Sequence, residues 1–317
     1  MMNTLASNFF VAARAVLPIF IIMGIGMLVR HAGIVNEAEV KKINKLNFVV
    51  FFPLLMFTNL YGKDISDAVN IRLMAFGVVG VLAVYALTVC FVVHITKERK
   101  TQGAMIQAIY RSNFVIMGIP IVANIFGDEN LALTAVMVTV IVPLYNVLAV
   151  ITLEVFRGGK PELLHILKQL AKNPLILGAL AGIVAVLTDL KLPSVLENVA
   201  SSMAGVATPL ALLTLGAFFD LRSAMKREKE ILICVAGRLI AVPAIGLTAG
   251  ILLGFRGVAL VTLIAIFASP TAVSSFPMAQ EMDSDYELAG DAVVFSSGAA
   301  CFTMFLWIFA LKSMGMF

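Results

Sequence analysis

Residues 104–127 read AMIQAIYRSNFVIMGIPIVANIFG, and residues 258–281 read VALVTLIAIFASPTAVSSFPMAQE. Each stretch is long and apolar enough to cross a bilayer as a helix, which takes about 20 residues. Each is also interrupted near its middle by a polar, helix-breaking cluster. Setting the second stretch 157 residues behind the first aligns Asn113 with Pro270 and Pro120 with Pro277. Pro270 has no N–H and its ring crowds the preceding turn, so carbonyls of that turn lose their helical partners. Irregular backbone at membrane depth survives only where protein buries it or where it lines a wet cavity. Paired interruptions in corresponding halves of a chain are therefore the best sequence pointer to a transport site.

Prolines extend the same offset outward. Pro18, Pro53 and Pro120 are spaced by 35 and 67 residues, and Pro174, Pro209 and Pro277 by 35 and 68; a Leu-Ala pair then follows at 131–132 and again at 288–289. Reading between charge clusters predicts ten spans, near 8–29, 43–61, 71–95, 104–126, 131–156, 174–189, 196–219, 230–253, 258–281 and 288–312. Five spans per unit is an odd number, so the second copy enters the membrane from the opposite side. The expected fold is an all-α integral membrane protein of ten transmembrane helices in two inverted five-helix repeats, residues 1–157 and 158–317, forming one transport domain. The competing reading is a coincidence of prolines, which membrane helices tolerate generally.

Composition agrees with a membrane protein. The 317 residues are 61% hydrophobic and 13% charged, with a mean hydropathy of +1.00, against roughly 45–50% apolar residues in a soluble domain. Ten spans leave no room for a catalytic, nucleotide-binding or nucleic-acid-binding domain. Cys90, Cys234 and Cys301 show no CxxC spacing, and His31, His94 and His165 no HExxH, so neither a disulfide framework, a metal site nor a cofactor is expected. Before Phe9 there is no Lys or Arg to form a signal peptide's charged region, so the run Phe9 to Val29, which holds Arg14, is expected as the first helix. Of 23 Lys and Arg residues, 15 fall in one set of alternate loops and only Lys63, Arg72, Lys191, Arg256 and Lys312 in the other. The positive-inside bias then places both termini on the non-cytoplasmic side of the cell membrane. Residues 160–173 pattern as an amphipathic surface helix, with Leu163, Leu164, Leu167 and Leu170 on one face, linking the halves.

The side chains around the breaks suit an anion. Ser112, Asn113, Ser269 and Thr271 offer hydrogen-bond donors beside Pro270, and a half-helix starting after each break presents N–H groups and a positive dipole end. Arg111 is the base within a broken span, and an intramembrane charge is by default a functional hypothesis; the alternative is that it snorkels or pairs with a buried acid. The predicted substrate site is Arg111, Ser112, Asn113, Ser269, Pro270 and Thr271, with Pro120 and Pro277 as helix breaks. Arg14 and Arg238 read as structural. Glu154 and Asp291 read as solvated or paired in preference to titrating in a proton-coupled cycle, and Asn59 and Asn146 as helix-helix glue in preference to cavity lining.

The stretches SNFVIMGIPIVANIFG (112–127), KNPLILGALAGI (172–183) and SPTAVSSFPMAQEMDSDYELAGDAVVFSS (269–297) resemble signature regions of the auxin efflux carrier family. The resemblance covers the whole chain in span count, repeat and motif order, and it is most similar to the family's compact bacterial members, which are associated with organic anions such as malate or malonate. It implies broken fourth and ninth helices that cross near the membrane centre. It implies a proline at each crossing and an asparagine after the first, here Asn113 and Pro270, although Ser112 stands where the first proline is expected. It also implies a body of spans 1, 2, 6 and 7 moving against one of spans 3 to 5 and 8 to 10, and a homodimer as found for several relatives. The plant members' long cytoplasmic loop is reduced here to the linker near 157–173.

The function these readings favour is a secondary transporter of small organic anions, carboxylates in particular because a carboxylate fits the donors best. A passive anion channel or membrane receptor using the same cavity is the alternative, which the internal repeat disfavours. An enzyme is not expected, since no nucleophile elbow and no paired mid-membrane acids occur. The expected partners are the organic anion, the lipid bilayer, a coupling ion (proton or sodium) if the carrier is coupled, and no nucleic acid. No cluster of intramembrane acids announces which ion that would be.

Overall fold

The computed structural model describes residues 2–62, 69–158 and 163–317; Lys63, Lys160 and the side chains of Arg14, Leu163 and His165 lie outside the described residues. The described chain is mostly helical and contains no β-strand, only one isolated bridge. It begins with α1 (Met2–His31), which carries Pro18 within it. The capping box of Asn36 and Glu39 starts α2 (Glu37–Leu46), and a π-turn at Asn47–Phe51 passes the chain into α3 (Phe52–Thr58). Next come α4 (Ile71–Ile95), α5 (Arg99–Tyr110), α6 (Phe114–Phe126) and α7 (Ala132–Phe156). A short α8 (Leu163–Lys172) leads into α9 (Pro174–Leu187) and α10 (Ser194–Phe218). The chain ends with α11 (Leu221–Ala224), α12 (Glu228–Ala236), α13 (Val242–Leu252), α14 (Gly257–Ala268), α15 (Ser275–Glu281) and α16 (Tyr286–Ser313).

Among the described residues, five helical segments are long and apolar enough to cross a membrane: Ile71–Ile95, Ala132–Phe156, Ser194–Phe218, Leu221–Leu252 and Tyr286–Ser313. The pair Ile166–Lys172 and Pro174–Leu187, bent by 62° at its break, makes a sixth when it is counted as one span. Phe114–Phe126 and Gly257–Ala268 are shorter apolar helices because the two stretches quoted first are each split. Outward faces are apolar as well: Val79, Leu82, Leu87 and Phe91 all point away from the protein on α4. Such a surface is the contact face of a multi-pass membrane protein.

Two prolines explain the two π-turns. Pro53 and Pro243 sit in the first turns of α3 and α13. Neither can donate to the carbonyl four residues back, and the ladder just before each widens to a five-residue spacing, Phe52 N–H to Asn47 O and Val242 N–H to Gly237 O. The Leu239 carbonyl that Pro243 cannot satisfy accepts instead from the Trp307 indole at 3.0 Å. The wider turns also aim polar side chains inward. Asn47 donates to the Ala207 carbonyl at 2.9 Å, and Arg238 becomes fully buried.

Close backbone approach sets α1 against α10. A Cβ at Gly26 would stand 2.1 Å from the Leu213 carbonyl oxygen, and one at Gly216 would stand 2.0 Å from the Met23 carbonyl oxygen, so only glycine fits at either place.

Candidate functional site

The two helix breaks meet. Ser112 and Thr271 face one another in a single antiparallel bridge; the Asn113 N–H donates to the Pro270 carbonyl at 2.8 Å and the Ala272 N–H to the Arg111 carbonyl at 3.3 Å. Backbone groups that neither helix can satisfy alone are thus satisfied by the other break. Around the bridge, Thr271 N–H donates to Ser296 Oγ at 3.1 Å, Thr271 Oγ1 to the Ala108 carbonyl at 2.8 Å, and Ser269 Oγ to the Ala265 carbonyl at 2.6 Å. Arg238 reaches the ends of both first half-helices. Its guanidinium donates to the carbonyls of Ile109, Tyr110, Ile266, Phe267 and Ser269 at 2.5 to 3.2 Å.

A cavity of about 210 Å3 opens beside the bridge, lined by residues of α3, α6, α7 and α10 and of both breaks. Its polar lining is Arg111, Ser112, Asn113, Tyr145, Asn146 and Ser274, with Asn59 and Thr208, and no lining residue is acidic. Arg111 is 3% exposed. Its Nη1 donates to Gln107 Oε1 at 3.1 Å and to Met278 Sδ at 2.9 Å. Its Nη2 donates to Asn146 Oδ1 at 2.5 Å and to Ser274 Oγ at 2.9 Å. Every one of these acceptors is neutral, and among the described residues no salt bridge involves Arg111 or Arg238. The Asn113 amide nitrogen, buried at the head of α6, has no hydrogen-bond partner. Ser112 Oγ donates to Tyr145 Oη at 3.3 Å. A buried cation without a counter-charge, next to an unpaired donor, is a setting that an anion would complete.

The comparisons with known proteins agree with a membrane transport protein. A family model described as "Membrane transport protein" matches the chain twice, over residues 11–163 and 162–308. This chain belongs to that family, the auxin efflux carrier-like transporters. An uncharacterized transporter of Methanothermobacter thermautotrophicus is 23% identical over 299 residues, covering 93% of this chain and 97% of the relative. An uncharacterized transporter of Methanocaldococcus jannaschii is 23% identical over 302 residues, covering 92% and 96%.

Within this family member, the structure sorts the predicted residues into two groups. Arg111, Ser112 and Asn113 line the cavity; Ser269, Pro270 and Thr271 do not, and the Ser269 and Thr271 hydroxyls are spent on carbonyls of the half-helices. The second break's N–H groups are largely consumed too, Ser275 by Ala272 O and Phe276 by Val273 O, so free donors face the cavity chiefly from the first break. The expectation that Pro120 and Pro277 are helix breaks does not hold. Pro277 is the third residue of α15, in a first turn whose N–H groups have no intrahelical acceptor. Pro120 lies inside α6, where it deprives the Ile116 carbonyl of its partner without ending the helix. The breaks lie instead at 111–113 and 269–274.

Asn146 and Asn59, expected as helix-helix glue, have a larger part in the site. Both line the cavity, and Asn146 is the closest partner of Arg111; its position one residue after Tyr145 was the available signal. Glu154 is buried with Arg157 3.9 Å away. Asp291 lines a separate cavity of about 170 Å3 with Arg30, Asp220, Arg227 and Glu287. Among the described residues no group of His, Cys, Asp and Glu has the arrangement of a metal site.

Proposed function

We propose that this chain is a secondary carrier of small organic anions, carboxylates in particular, and that the anion binds in the cavity beside the paired breaks. The observation that carries the reading is Arg111: a buried guanidinium held by neutral acceptors alone, in a cavity without acids. One carboxylate oxygen would take the place of a neutral acceptor on Arg111 while the other accepts from Asn113 Nδ2 and the Ser112 or Ser274 hydroxyl. The cavity, about 210 Å3, is smaller than the roughly 300–1,000 Å3 of sites for drug-sized ligands, which favours a small anion. In this reading Ser269, Pro270 and Thr271 hold the crossing in shape and Arg111, Ser112 and Asn113 contact the substrate.

The wider proposal is ten membrane crossings in two inverted halves, 1–157 and 158–317, in the cell membrane with both termini outside the cytoplasm. The twofold match of one family model to successive halves supports it, as does the position of the two broken helices at equivalent places in the halves. Alternating access would follow from the crossing body moving against the helices that pack on it, with the anion carried between them.

The test is thermal unfolding of the detergent-purified protein against malate, malonate, succinate, lactate, citrate and indole-3-acetate as sodium and choline salts, followed by uptake of the stabilising anion into proteoliposomes. Saturable stabilisation of about 2.7 kcal/mol at a hundredfold excess over Kd, with uptake, is expected for at least one carboxylate. A flat response to all six withdraws the substrate class.

A further inference from the structure

In carriers built on broken helices, unwound carbonyls and the C-terminal ends of half-helices carry negative partial charge and are where a coupling cation is held. Both such ends are present here, at Tyr110 closing α5 and Ala268 closing α14, and both are already occupied. Five carbonyls, two from α5 and three from the end of α14, accept from the one side chain of Arg238. A guanidinium has five N–H donors, so none remains for a carboxylate or a substrate. The charges also balance: two helix C-termini carry roughly −0.5 each, and one guanidinium offsets their sum.

The placement is built in from the backbone. Pro243 forces the π-turn that turns Arg238 inward, and Pro270 frees the Ile266 carbonyl that Arg238 then takes at 3.0 Å. Gly237 lets this turn seat directly on α5, where an added Cβ would stand 3.2 Å from the Ile109 side chain. Arg238 is 0% exposed and is not part of the cavity around Arg111. The two buried arginines therefore do different work: one is satisfied completely by helix ends, the other only by exchangeable neutral side chains.

We propose that Arg238 is a tethered cation in the crossing's cation position, so that the helix ends of this carrier need no sodium or potassium ion and its cycle is not coupled to one there. The inference stands apart from the choice of anion, because it is read on the substrate-free protein.

The experiment follows the unfolding midpoint of the purified full-length chain in sodium, potassium and choline chloride at equal ionic strength, together with binding of radiolabelled sodium. The wild type is expected to unfold at one midpoint in all three salts and to bind no sodium saturably. Arg238→Ala is expected to unfold lower, and to regain about 3 °C or more in a saturable manner with millimolar guanidinium or with sodium or potassium over choline. Two results overturn the proposal. One is saturable sodium binding by the wild type; the other is an Arg238→Ala protein that is destabilised equally in every salt and not rescued by guanidinium, which would leave Arg238 a packing residue. If Arg238→Ala does not fold, Arg238→Gln, neutral and still able to donate two hydrogen bonds, carries the same comparison, and the wild-type sodium measurement decides if neither variant folds.

Discussion

The Asn113 N–H donates to the Pro270 carbonyl at 2.8 Å, so the residue that opens α6 is tied through its backbone to the proline that ends α14. The tie holds the two breaks as one unit and leaves the Asn113 side chain free of structural duty. Its amide nitrogen has no partner, although a buried donor left unmade costs about 1–3 kcal/mol. A cost of that size at a cavity wall is what a ligand would relieve.

Asn113→Ala should therefore separate binding from folding. The backbone bridge survives the change, and removing an unsatisfied amide leaves the unfolding midpoint of the anion-free protein within about 1 kcal/mol of wild type. Anion-induced stabilisation should weaken by roughly tenfold in Kd, as for loss of one hydrogen bond to a charged group. An unchanged Kd would remove Asn113 from the site.

Arg111→Gln should lose affinity for dicarboxylates more than for monocarboxylates, since a second carboxylate has no other cation in the cavity lining. Arg111→Lys should not restore it. A lysine ammonium is a point charge and cannot span Gln107, Asn146 and Ser274 as the planar guanidinium does. Titrations of both anion classes against each variant check this, and equal losses would make Arg111 structural.

Ser112→Pro should fold. The bridge uses the N–H groups of Asn113 and Ala272 and not that of Ser112, and Arg111 already has φ −89° and ψ 122°, the extended region that a residue before proline requires. The expected change in unfolding free energy is within about 1 kcal/mol, the worth of the lost Ser112–Tyr145 hydrogen bond. Failure to insert or fold would show that the first break needs a flexible residue.

Gly216→Ala should destabilise by more than about 2 kcal/mol, because its methyl group would meet backbone, the Met23 carbonyl, at 2.0 Å. Gly24→Ala is the control, with nothing within 4 Å of the added carbon, and should be neutral or stabilising by up to about 1 kcal/mol. Thermal unfolding of the pair in the same detergent distinguishes specific α1–α10 contact from a general intolerance of glycine replacement.

The helical, membrane-spanning class and the location of both breaks were legible in the sequence, because they depend on local chemistry. Apolar runs bounded by charge must enter lipid as helix, and Pro270 lacks its N–H wherever it is placed. The same local rule misassigned Pro120 and Pro277. A proline breaks a helix only where its position demands an N–H that the surroundings cannot spare, and the first turn of α15 spares one at Pro277.

What partners the exposed carbonyls take was decided by tertiary structure alone. Nothing near Pro270 in the chain announces that Arg238, which an intervening π-turn aims inward, will satisfy Ile266, Phe267 and Ser269. Nor does local pattern say that Asn146 of α7 will hold Arg111 while the Ser269 hydroxyl turns back onto α14 and the Thr271 hydroxyl crosses to a carbonyl of α5. Covalent structure and hydropathy determine that backbone groups will be orphaned at two places; the through-space packing of distant helices determines which side chains answer them, and so which remain free to meet a ligand.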